Sequence, residues 1–122
     1  MIAVHAPTGR TLASRVEKAD DAGSRSKGLL GRESLGPDEG LWIVQPPLAW
    51  FVPCPTIHTF FMKFPIDVLF LDGGLRVLRS IEGMKPWRLS PWVLSAHSIL
   101  ELKAGTLQGK VRAGDLLELR SA

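Results

Sequence analysis

The clearest hydrophobic pattern of the chain runs from Ile66 to Leu71 and predicts a buried strand. Apolar residues occupy both alternating registers of this segment, so both faces of a strand would be covered. Pro65 lacks a backbone donor and suits the start of the strand. Asp72-Gly73-Gly74 favours a tight turn through positive φ angles, and Leu75–Ile81 then supplies a returning strand. The pattern therefore predicts a β-hairpin over residues 66–81.

Shorter apolar segments on either side of this hairpin predict further strands, and one segment predicts a helix. The candidate strands are residues 2–5, 12–19, 41–44, 57–62, 98–103 and 116–120. Residues 22–30 predict a short helix, because Asp20 and Asp21 can accept hydrogen bonds from free N–H groups at its start and Gly31 suits its end. About seven short strands with one short helix near residues 21–31 predict a mainly β fold, a compact antiparallel sandwich or barrel.

Length and composition indicate one globular domain over residues 1–122. The chain is 45% hydrophobic and 22% charged, which is typical of globular proteins. A chain of this size can bury enough surface to fold without a disulfide or a metal. The lone Cys54 excludes an internal disulfide and suits a reducing cytoplasm. The net charge of +3 is modest and scattered along the chain, so we expect no nucleic-acid partner.

Residues 41–62 carry no charge, which raises the question of a membrane span. A spanning helix needs about 20 uninterrupted apolar residues. Pro46, Pro47, Pro53 and Pro55 interrupt this segment, so we expect strand and loop rather than a span. The N-terminal residues lack the basic start and the long apolar core of a signal peptide, and we therefore expect a cytoplasmic location.

Cys54 and His58 are the first candidates for catalysis. A thiolate activated by a nearby imidazole is a common nucleophile. Pro55 disfavours a helical conformation for Cys54, so only a turn through Thr56 would bring the two side chains together. The alternative interpretation is that Cys54 is a small buried hydrophobic residue and His58 a hydrogen-bonded core residue.

Asp67 is an anomaly in the predicted buried strand, because a buried carboxylate needs a partner or an open end. If residues 57–62 and 66–71 form a hairpin, His58 lies opposite Asp67. The imidazole would then satisfy the carboxylate, which in turn would raise the proton affinity of the histidine. The pair is either an electrostatic clip that holds the strand register or an oriented general base.

Trp87, Trp92 and Lys63 are candidate ligand-binding residues. The two tryptophans each follow a proline, five residues apart, in a segment predicted to be a loop. They either seal one end of the core or form an aromatic platform for a ring-shaped ligand or a partner. Lys63 could bind an anion or stay solvated. No Cys or His spacing matches a known metal motif, so we expect neither a metal nor another cofactor.

Several motifs, in order along the chain, resemble the domain-of-unknown-function family 192, also called UPF0127-like. They are RSKGLLGR from Arg25, Gly40-Leu41, IHTFFMKFPIDVLFLD from Ile57, ILELKAGT from Ile99, and Gly114-Asp115. The resemblance covers about residues 12–120, and PWRLSPW from Pro86 is similar to one bacterial subgroup. It implies a compact, mainly β domain, but it implies no activity and no catalytic residues.

Three functional hypotheses follow. The preferred one is a small soluble β domain that binds a small ligand or a partner protein through an aromatic and histidine-lined surface, formed by Trp87, Trp92, His58 and Lys63. The alternative is an enzyme with Cys54 as nucleophile and His58 with Asp67 as an acid–base pair. The third is a structural or assembly module, such as a homodimer.

Overall fold

A computed structural model of the protein describes residues 1–19, 21, 29, 32–44, 59, 62–91, 93 and 96–121. These residues form eight strands in two sheets, one of three strands in the order β2-β1-β8 and one of five in the order β3-β4-β7-β5-β6. The strands are β1 (Ile2–His5), β2 (Arg10–Ala13), β3 (Arg15–Ala19), β4 (Glu39–Val44), β5 (Ile66–Leu71), β6 (Val77–Met84), β7 (Ser98–Lys103) and β8 (Leu117–Arg120). The predicted mainly β fold is confirmed.

The predicted buried strand is confirmed as β5, all six residues of which are buried. β5 pairs with β7 on one side and with β6 on the other, both antiparallel. Its apolar residues therefore have a packed layer on each face and a neighbouring strand along each edge. Because both edges of β5 are occupied, no other segment can pair with it over residues 66–71.

The predicted hairpin between β5 and β6 is also confirmed, but its turn has a different construction. Neither Gly73 nor Gly74 has a positive φ, whereas Leu75 has a φ of 66°. Oδ1 of Asp72 accepts hydrogen bonds from the amides of Gly74 and Arg76, each at 2.9 Å. The turn is thus organised by an aspartate side chain that satisfies main-chain donors, rather than by glycine.

The five-stranded sheet has a hydrophobic core on each face. The inter-sheet core joins it to the three-stranded sheet and includes Leu69, Leu71, Leu100 and Leu102 together with Ala3, Leu12 and Leu117. The outer core covers the opposite face and includes Leu41, Ile43, Val68, Phe70 and Ile99 together with Leu35 and Met62. Alternate residues of β5 and β7 enter opposite cores, which explains why these strands are apolar in both registers.

The segment predicted as one strand over residues 12–19 is two strands that belong to different sheets. The amides of Ser14 and Arg15 both donate to the carbonyl oxygen of Asp38, at 3.0 and 2.8 Å, where the chain passes from β2 to β3. β3 and β4 run parallel, which corrects the purely antiparallel expectation. The long connection over residues 20–38 makes this crossover possible. Apart from Asp21 and Leu29, the predicted helix near residues 21–31 lies outside the described residues.

Candidate functional site

Thr59 is a buried residue that fixes the turn over residues 85–89, here called the Trp87 loop. Its Oγ1 donates to the carbonyl oxygen of Lys85 at 2.5 Å and accepts from the amide of Arg88 at 2.9 Å. Its main-chain amide donates to the carbonyl of Arg88 at 2.8 Å, and its carbonyl accepts from the amide of Trp87 at 2.9 Å. One fully buried residue therefore binds the main chain of Lys85, Trp87 and Arg88 through both its backbone and its hydroxyl.

The Trp87 loop presents two large apolar side chains to solvent. Trp87 is 55% exposed and Leu89 is 61% exposed. The backbone of Trp87 has a φ of 64°, a left-handed conformation that costs a non-glycine residue about 1–2 kcal/mol. The hydrogen bonds to Thr59 offset this cost and fix the backbone of the loop. Trp87 therefore combines a left-handed backbone with a largely exposed side chain.

Asp67 is fully buried, and main-chain amides satisfy both of its carboxylate oxygens. Oδ1 accepts from the amide of Gly83 at 2.8 Å and Oδ2 from the amide of Leu107 at 3.0 Å. Of the two alternatives for this carboxylate, a partner or an open end, the first is therefore confirmed. The carboxylate connects β5 to the end of β6 and to the loop that follows β7.

The predicted pairing of His58 with Asp67 depended on a hairpin between residues 57–62 and β5. That hairpin is wrong, because β6 and β7 already occupy the two edges of β5. Cys54, His58 and Trp92 themselves lie outside the described residues. Among the residues that are described, no group of three His, Cys, Asp or Glu side chains is placed to hold a metal ion.

Lys63, the predicted anion-binding residue, forms an ion pair with Glu33. Their Nζ and Oε1 atoms are 2.5 Å apart, and both side chains are more than half exposed. Glu33 therefore already compensates the charge of Lys63. Exposed pairs of this kind contribute little to stability, and Lys63 would have to leave Glu33 to bind a free anion.

Glu101 is a buried acid that the sequence analysis overlooked. It lies on β7 between Leu41 of β4 and Val68 of β5, and it is 6% exposed. Burial raises the pKa of Glu101 to about 7. In the sequence, Glu101 shares its alternating register with Ile99 and Lys103, so the pattern gives no sign of its burial. The burial arises because β7 is the middle strand of the sheet.

His5 belongs to a second polar cluster that the sequence analysis overlooked. Its Nδ1 lies 2.8 Å from Oγ1 of Thr8 and its Nε2 lies 2.8 Å from Oδ2 of Asp115. Hydroxyl, imidazole and carboxylate in this order can activate a nucleophile. Here Thr8 also accepts from the amide of Arg10, and Asp115 from the amide of Arg112. The cluster thus ties the β1–β2 turn to the turn before β8.

The amide of Arg112 and, next, the imidazole of His5 lower the pKa of Asp115. The carboxylate therefore stays ionised and remains an acceptor for both donors.

Within the described residues, no helix is long and apolar enough to cross a membrane.

Comparison with solved structures identifies close fold relatives. A Sinorhizobium meliloti protein described as a candidate transcription regulator is 26% identical, with a TM-score of 0.76 over 96% of this chain and 89% of that one. A protein of unknown function from Novosphingobium aromaticivorans has a TM-score of 0.75 over 98% of this chain and 93% of that one. At 23% identity, the second likeness shows the fold alone.

Comparison of sequences identifies the family. A UPF0127 protein of Pyrococcus abyssi is 33% identical over 105 residues, which are 85% of each chain. The model of the DUF192 family, described as an uncharacterized ACR, matches residues 3–119. That description assigns no activity to the family, and the match confirms the resemblance of the sequence motifs. The chain belongs to the DUF192 family.

Proposed function

We propose that the protein is a binding module and that the Trp87 loop contacts a partner protein. The observation that carries the proposal is Trp87, which has a left-handed backbone, is 55% exposed and donates its amide to the carbonyl of buried Thr59. Tryptophan and arginine are enriched among the residues that dominate protein interfaces. Trp87, Arg88 and Leu89 are consecutive and all exposed, so they offer apolar area beside a cation.

The shape of this surface favours a protein over a small ligand. Small-molecule sites are concave and bury most of the ligand surface. Trp87, Arg88 and Leu89 line neither of the cavities near β2 and β3. An exposed turn such as the Trp87 loop can enter a groove on a partner, where the indole and Leu89 would lose contact with water.

A capture experiment with matched variants tests the proposal. The wild-type chain, Trp87→Ala and Leu116→Ala are each immobilised and exposed to the same lysate. Leu116 is the control, because it is an exposed apolar residue (37%) outside the Trp87 loop. We expect a protein that wild type and Leu116→Ala retain and Trp87→Ala loses, with the same loss in a titration of the purified partner. Equal retention by Trp87→Ala would refute the proposal.

The enzymatic alternative stays a prediction. Of its residues, Asp67 is the one within the described part of the chain, and both of its oxygens accept main-chain hydrogen bonds. That arrangement and its full burial support a structural role for Asp67, because a general base must lie within hydrogen-bond reach of a substrate. Alkylation of Cys54 at mildly acidic pH tests the nucleophile directly.

The proposed location is the cytoplasm. The single cysteine supports it, since a reducing compartment leaves a lone thiol unpaired. Fractionation of the native host with an antibody to the chain tests this location.

A further inference from the structure

We infer that the cavity between β2 and the loop that follows β7 binds a small oxyanion, such as the phosphate or carboxylate group of a metabolite. The cavity has a volume of about 310 Å³, and its lining includes Arg10, Lys103, Thr106 and Gln108. This volume lies at the lower end of the range for ligand sites in proteins. The inference is independent of the Trp87 loop, which does not contribute to this lining.

The side chain of Arg10 carries the observation that points to an anion. Its Nη2 donates to the carbonyl oxygen of Thr106, whereas its Nη1 is buried and has no hydrogen-bond partner among the described residues. A buried charged donor without an acceptor is costly, and proteins normally satisfy such groups with water, an ion or a ligand. Oxyanions match best, because guanidinium groups bind carboxylate and phosphate through strong charge-assisted hydrogen bonds.

The charges around this cavity also favour an anion. Arg10 and Lys103 are both positive, and the described lining residues include no carboxylate. A second cavity of about 300 Å³ near β3 provides the contrast. Its two arginines, Arg15 and Arg32, pair with carboxylates at 3.0 and 3.1 Å. Those ion pairs neutralise the arginines of the second cavity. Arg10 and Lys103, in the cavity near β2, keep a positive charge that can attract a ligand.

The wall of the cavity near β2 is held in place before any ligand arrives. The peptide group between Thr106 and Leu107 accepts from Arg10 through its carbonyl oxygen and donates to Asp67 through its N–H. The next part of the loop is fixed as well, because the amide of Gly109 donates to Glu82 at 2.9 Å. A site on a fixed wall loses little conformational entropy on binding, which favours affinity for a small ligand.

Titration of the full chain at constant ionic strength tests the inference. Inorganic phosphate and succinate are added separately, and NMR follows the backbone amides and the guanidinium group of Arg10. We expect saturable binding of one or both anions, with the largest shifts at Arg10 and Thr106. Binding of phosphate alone or succinate alone would support the inference and identify the oxyanion class. A linear, non-saturating response to both anions would overturn it.

Matched variants locate the site. We expect Arg10→Gln to weaken binding about tenfold or more, the usual loss for a hydrogen bond to a charged group, and Lys103→Gln to weaken it less. Arg15→Gln, an arginine of the second cavity, and Trp87→Ala should keep wild-type affinity. Unchanged affinity in Arg10→Gln would overturn the inference. If that variant does not fold, unshifted guanidinium resonances of Arg10 in the wild-type titration would overturn it instead.

Discussion

Asp67 and Arg10 are connected through a single peptide group, the one between Thr106 and Leu107. The carboxylate of Asp67 accepts the N–H of this peptide at 3.0 Å, and the guanidinium of Arg10 donates to its carbonyl oxygen. A buried acid on the five-stranded sheet and a cation on the three-stranded sheet thus hold the same loop from two sides. Asp67, the charged residue of an otherwise apolar strand, thus stabilises the loop that lines the cavity near β2.

Replacement of Asp67 by Asn should destabilise the fold by about 2 kcal/mol or more. Asn keeps one acceptor oxygen, so one of the amides of Gly83 and Leu107 would face an NH₂ donor and remain unsatisfied in the interior. Urea unfolding of the wild type and the variant measures the difference.

Asp72→Asn is the matched control for that experiment. Asp72 accepts both of its hydrogen bonds through Oδ1 alone, so the Asn carbonyl can keep both. We expect a loss below about 1 kcal/mol there. Equal losses in the two variants would contradict the role given to Asp67.

Replacement of Thr59 by Val should loosen the Trp87 loop. Valine has nearly the same shape but loses the bonds of Oγ1 to Lys85 and Arg88. We expect a loss of about 1–3 kcal/mol in the free energy of unfolding and faster hydrogen exchange at the Arg88 amide. Thr59→Ser keeps the hydroxyl and should preserve slow exchange. Wild-type exchange in Thr59→Val would show that the hydroxyl does not fix the loop.

The left-handed backbone of Trp87 makes glycine the better small replacement at this position. Trp87→Gly removes the strain of a φ of 64°, whereas Trp87→Ala retains it. We expect Trp87→Gly to be more stable than Trp87→Ala by about 1 kcal/mol, which is a reversal of the usual order of alanine and glycine. Thermal unfolding of the two variants under identical conditions compares them, and alanine as the more stable variant would argue against the left-handed conformation.

Glu101 should make the protein less stable as the pH rises. Burial raises the pKa of Glu101 from 4.5 to about 7 in the folded state, so between these pH values the unfolded chain releases the proton first. The contribution of Glu101 to the free energy of unfolding then falls from pH 4.5 to about 7 and levels off above it, a loss of up to about 3 kcal/mol.

Glu101→Gln isolates this effect, because glutamine is neutral at every pH and has nearly the same shape. We expect the variant to resemble wild type at pH 4.5 and to be more stable at pH 8. The comparison uses urea unfolding at both pH values. A difference between variant and wild type that does not change with pH would contradict the assignment.

The sequence predicted the parts of the fold that depend on neighbouring residues. The apolar pattern of residues 66–71 and the turn at Asp72 specify the β5–β6 hairpin, because strand and turn propensities act over a few residues. The burial of Glu101 could not be predicted in the same way. It depends on β7 pairing with both β4 and β5, and that strand order is set by contacts between distant segments.

The candidate residues also show that the sequence can reveal a residue without revealing its distant partner. Trp87 was recognisable from its type and from the prolines around it, but its support by Thr59 joins positions 28 residues apart. Asp67 was recognisable as a misplaced charge, but its partners are main-chain amides, which every residue type except proline carries. No side-chain pattern can reveal such a partner.

Hydrogen exchange of the Trp87 loop with and without a captured partner tests the central claim most directly. We expect the amides of residues 85–89 to exchange more slowly when the partner is added to the wild-type chain. We expect Trp87→Ala to show no such change at the same partner concentration. Protection at another surface, with exchange in residues 85–89 unchanged, would contradict the claim that the Trp87 loop contacts a partner protein.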